Sequence, residues 1–112
     1  MKGQTNWDIT FQEEIEHASA ARKKGNEGMA RVCARRAAGA VIGEYFRQNN
    51  LPDASDSTYD RLRTLRDLPD VPQHVKEVAR RLVQRVTPQH KLPFEADLIA
   101  DAETLREQLL YE

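Results

Sequence analysis

Cysteine occurs once in this chain, at Cys33, so neither an intramolecular disulfide nor a cysteine-built zinc site is open to it. Large aromatics are scarce, with one Trp, three Phe and three Tyr in 112 residues, which implies a thin core filled mainly by aliphatic side chains. No charge sign prevails: 17 Lys and Arg stand against 18 Asp and Glu, a net charge of −1, and this excludes nucleic-acid binding by bulk positive charge. No apolar run approaches the roughly 18 residues of a membrane span. The opening residues carry no apolar signal segment, so a soluble cytoplasmic protein is expected. There is no P-loop, no glycine-rich dinucleotide turn following a strand and no nucleophile elbow. Segments alternating with period two are absent as well, which removes the usual signature of a sheet.

What remains is helical punctuation. Trp7, Phe11, Ile15 and Ala18 follow at helical spacing behind a capping residue at Thr5 or Asn6. Arg22, Lys23, Lys24 and Gly25 close that block, and Asn26 is placed to cap the next one at once, so 25–26 reads as a tight turn between antiparallel helices. A second helix is expected from about Asn26 to Asn49. It holds Ala30, Ala34, Ala37, Ala38, Ala40, Gly39 and Gly43, small residues that admit a neighbouring helix at short range. Two interior glycines cost about 1 kcal/mol each relative to alanine, and close packing is the plainest reason to keep them. Ser57 to Asp60 reads as a capping box ahead of a short helix carrying Leu62 and Leu65. Val75, Val78, Ala79, Leu82, Val83 and Val86 then predict a helix ended by Thr87-Pro88. A last helix is expected from near Phe94, with Leu98, Ala102, Leu105 and Leu109 on one stripe. The chain is therefore read as one all-α domain over residues 1–112, an up-and-down bundle of four main helices and a short one.

Charge is distributed by segment. Seven bases stand against two acids over residues 22–47, and five against one over 74–91; one base stands against six acids over 92–112. Arg31 and Arg35 are four apart, as are Arg81 and Arg85, and with Arg80 they are the candidate residues for a phosphate-bearing ligand, a nucleotide or RNA. Salt bridges to the acidic first and last helices are the competing fate of these arginines. Glu14 and His17 have the Glu-x-x-His spacing of di-iron bundles, but no second copy accompanies them, and His17, His74 and His90 do not lie at zinc-ligand spacings; no metal or cofactor is expected. Arg85 and His90 are the remaining pair with chemical capacity. An arginine can steady a phosphoryl transition state and a histidine can move a proton from a ribose 2′-hydroxyl, which together suffice for metal-independent RNA cleavage. Apolar surface on Ile42 to Phe46, and on Ile99 and Leu110 beside Leu98 and Leu109, is expected to serve a homodimer.

The run from Ala18 to Val41, with its small turn and Ala-rich second helix, resembles the helix-turn-helix opening of HEPN domains, and Leu92 to Leu105 resembles their closing helix. The resemblance implies a helical bundle, homodimerisation and association with nucleotides or RNA; many relatives partner a minimal nucleotidyltransferase and others are toxin ribonucleases. This chain resembles the ribonuclease branch at Arg85 and His90, but Val86 stands where that branch places a polar residue, Pro88 interrupts the segment, and Lys91 follows the histidine in place of an aromatic. The expectation is accordingly a non-catalytic binding or partner subunit. A metal-independent ribonuclease is the first alternative and a structural adaptor the second.

Overall fold

The computed structural model describes residues 6–53, 55, 57–84 and 97–110. Five helices follow one another: α1 (Asn6–Lys23), α2 (Glu27–Gln48), α3 (Thr58–Asp67), α4 (Gln73–Val83) and α5 (Leu98–Leu110), with no strand among the described residues. The chain is an all-α helical bundle. No helix among the described residues is long and apolar enough to cross a membrane.

Local chemistry sets the ends. Gly25 takes φ +81°, a left-handed value that glycine adopts without steric cost. Its N–H donates to the Arg22 carbonyl at 2.9 Å while the Asn26 N–H donates to the Ala21 carbonyl at 2.8 Å, the paired closure of a Schellman motif. Asn26 then caps α2, its Oδ1 accepting from the Met29 N–H at 3.1 Å. Helices joined through so short a turn must run antiparallel, and α1 and α2 form the hairpin on which the rest is built. Ser57 caps α3 through the Asp60 N–H at 3.4 Å.

Two boundaries differ from the sequence pattern. The valine stripe predicts a helix through Val86, but α4 stops at Val83 and Gln84 is extended, with φ −67° and ψ 130°. The reason lies on another helix: Arg35 Nε donates to the Leu82 carbonyl and its Nη2 to the Gln84 carbonyl, each at 2.8 Å, and a guanidinium seated there satisfies α4's terminal carbonyls in place of a further turn. At the other boundary α5 begins at Leu98, not near Phe94, because Asp97 is its cap, the carboxylate accepting from the Ala100 N–H at 3.2 Å. Phe94 itself lies outside the described residues.

The core gathers Phe11 and Ala18 from α1, the alanines with Val41, Ile42 and Phe46 from α2, Leu62 and Leu65 from α3, the α4 stripe, and Leu98, Ile99, Ala102 and Leu105 from α5. The apolar surface expected to remain for a dimer is therefore mostly consumed inside one chain: Ile42 is 0% exposed, Phe46 1%, Leu98 1% and Ile99 9%. Leu109 and Leu110 are partly buried against the same core.

α3 crosses α2 over its two glycines. A Cβ at Gly39 would lie 2.7 Å from Thr58 Oγ1, and one at Gly43 would lie 2.7 Å from Arg61 Nη1. Arg61 is held there by the Gly39 carbonyl at 3.1 Å and by a bidentate pair with Asp53 at 3.2 and 2.8 Å. Gly39→Ala should consequently destabilise the protein by about 1–2 kcal/mol even though alanine is the better helix former, because overpacking shifts α3. Thermal melts of Gly39→Ala and of Gly39→Ala/Thr58→Ala check this: removing the Thr58 hydroxyl should restore the wild-type midpoint or exceed it.

Candidate functional site

α1, the second half of α2 and the start of α3 enclose an open groove of about 490 Å³. Trp7 and Glu14 of α1 form one wall and Thr58 and Arg61 of α3 the other; Ala40 and Gly43 of α2 are the floor. The floor is low because its residues are small, and the α3 wall stands close for the same reason.

Two acids face this groove and differ in how they are satisfied. Glu44 is buried, accepts from Arg47 Nε at 2.8 Å and from Gln48 Nε2 at 2.9 Å, and its carboxyl is held below the usual range chiefly by the Arg47 hydrogen bond, against the opposing effect of burial. Glu14 Oε1 is buried without a hydrogen-bond partner among the described residues. The carboxylate is hydrogen-bonded to the Cys33 thiol and pairs with no cation among the described residues. Nearby on α2, Arg36 is exposed and makes no hydrogen bond or ion pair with any described residue. Cys33 is buried behind it, and its thiol pKa is pushed up first by burial and then by the negative charge of Glu14 and a hydrogen bond to it; a thiol so held is a poor nucleophile. Among the described residues no three His, Cys, Asp or Glu side chains gather as a metal site would require.

The arginines singled out by spacing have different fates. Arg31 is half-exposed and pairs with no described residue. Arg35 is 8% exposed and is the cap of α4, with its guanidinium carbon 5.7 Å from the centre of the Tyr59 ring. Arg80 is exposed and donates to Glu77 at 3.0 Å within its own helix. Arg81 forms a bidentate pair with Asp101 of α5 at 3.0 and 3.1 Å, with 30% and 11% of the two side chains exposed. The Asp101 hydrogen bonds raise the Arg81 pKa further, outweighing burial. The structure thus brings α2 to the end of α4, where Arg35 serves as a clamp, and turns Arg81 toward the acidic last helix. Arg22 likewise reaches Glu27 and Asp97, each at 2.9 Å, tying the hairpin turn to the start of α5. Arg85 and His90 lie outside the described residues.

Sequence reasoning missed Trp7, Arg36 and Arg61 as site residues and met Glu14 only in a metal-spacing test. A signal for Arg36 was present: it shares a helical face with Met29, Val32, Ala40 and Gly43, a stripe running from large to small. Compared with protein-family models, curated proteins and solved structures, the chain matches none.

Proposed function

We propose that this chain is a non-catalytic, HEPN-like helical binding or partner subunit that associates with itself. A minimal nucleotidyltransferase and RNA or a nucleotide are the partners that the resemblance implies. The observation that carries the reading is the groove that α1, α2 and α3 enclose. It joins an open small-residue floor to an unpaired guanidinium at Arg36 and an unpartnered carboxylate oxygen at Glu14, while the single thiol is shut away. Charged groups of both signs that form no ion pair among the described residues, lining one open concave surface, suit recognition of a partner.

Nucleic-acid binding falls to the arginines that the fold leaves available. Among the described residues Arg31 is one, and Arg85, outside them, is the second candidate from the sequence alone. Arg35 and Arg81 hold the bundle together, so replacing them would confound binding with folding. Fluorescence anisotropy with a labelled single-stranded RNA at low salt should show binding that weakens as salt rises, since phosphate contacts release counterions. Arg31→Ala/Arg85→Ala should lower the affinity about tenfold and flatten the salt dependence. The same RNA incubated with the protein in a chelator should stay intact. Cleavage that disappears in Arg85→Ala and His90→Ala would replace this reading with the metal-independent ribonuclease.

A further inference from the structure

The outer stripe of α2 is asymmetric along its length. Met29 and Val32, in the first half, are 45% and 37% exposed, two of the three exposed large apolar side chains among the described residues. Ala40 and Gly43, in the second half, are the groove floor between the α1 and α3 walls. Arg36 lies midway, four residues from both Val32 and Ala40 and seven from both Met29 and Gly43. One helix therefore carries a ridge and a matching trough at equal distances from one central residue.

We propose that this stripe is the self-association face, two copies packing α2 against α2 in antiparallel fashion about a two-fold axis at Arg36. This deepens the self-association already proposed for the chain. A two-fold interface places residue i against j and j against i. With the axis at Arg36, Val32 of each copy meets Ala40 of the other and Met29 meets Gly43, resting against the Arg61 guanidinium that fills the Cβ space of that glycine. A parallel arrangement would set large on large and small on small, leaving a gap over the trough. Ridge into trough is the close packing that helix interfaces require.

Charge selects the same occupant. Arg36 and Glu14 of one chain do not pair with each other, although both line the groove. Two Arg36 side chains brought to the axis would repel unless each found an acid, and Glu14 of the opposite copy, a groove carboxylate that no cation among the described residues pairs with, is the acid available to each. The interface then holds two reciprocal Arg36–Glu14 pairs.

Light scattering and sedimentation of the full chain, with circular dichroism as the folding control, test the proposal. The wild type should have twice the 12.8 kDa chain mass at micromolar concentration. Glu14→Arg and Arg36→Glu should each stay helical and weaken the dimer on the order of a hundredfold, because every cross-pair becomes a like-charge contact. Mixed in equal amounts, these two variants should form a heterodimer of wild-type affinity, since each Arg then faces a Glu in trans. Ala40→Leu, which fills the trough, should also give a monomer. A wild-type dimer insensitive to all of these substitutions would overturn this face while leaving self-association standing. A wild-type monomer would overturn both.

Discussion

Phe46→Ala is expected to cost about 3–5 kcal/mol of folding stability, the usual range for deleting a fully buried aromatic side chain. Phe46 is 1% exposed and lies in the α2 part of the core, with Tyr45 packed beside it at a ring separation of 6.3 Å. Since small domains are stable by only about 5–15 kcal/mol, the variant should approach the edge of folding at 37 °C. Urea denaturation checks the magnitude, with a lower midpoint and an unchanged slope. If Phe46 were an interface residue on an otherwise complete monomer, the same substitution would change self-association and leave the urea midpoint of the isolated chain close to wild type. The two outcomes separate the core placement from the surface placement that composition alone suggests.

Arg35→Met is expected to destabilise the bundle by about 3 kcal/mol. The change keeps an unbranched apolar stem but deletes two 2.8 Å hydrogen bonds from a charged donor to the Leu82 and Gln84 carbonyls. Hydrogen bonds to charged groups are worth about 1.5–3 kcal/mol each, and carbonyls left unpaired add their own desolvation penalty. Loss of the Tyr59 contact contributes less. Arg35→Lys should recover only part of the loss, because an ammonium cannot present the planar fork that reaches both carbonyls. Hydrogen exchange provides the local readout: amides in α4 should lose protection in the methionine variant beyond what the global change in stability accounts for.

These two residues mark where the sequence is readable and where it stops being so. The Gly25–Asn26 turn and the Ser57 cap depend on neighbours within four residues, and each is found as its local pattern predicts; the α4 stripe is found from Val75 to Val83. The reason for two interior glycines in α2 was also legible, though not which helix needed the space. Spacing alone could not tell which face of α2 turns inward. Arg31 and Arg35 share a side by the i, i+4 rule, yet one is half-exposed and the other is 8% exposed, because α4 ends against the second and not the first. The same limit explains α4. Its apolar period continues to Val86, but a side chain forty-seven positions earlier supplies the stop. For the groove, Glu14 and Arg36 are twenty-two residues apart and become neighbours only once the hairpin closes, so no local pattern could single them out.

The placement of α5 bears on how the chain is made. Leu98, Ala102 and Leu105 are buried in the same core as the alanine face of α2, and Asp101 is the acid that Arg81 needs, yet all four are supplied by α5, fifty residues after α2 ends. While the chain is growing on a ribosome, the hairpin of α1 and α2 can close early from local contacts, whereas that alanine face must wait for α5 to leave the exit tunnel. Until then the nascent protein carries a bare apolar strip and an arginine without its carboxylate, the kind of transient surface that holding chaperones bind. A stop codon ahead of residue 97 would make that transient state permanent.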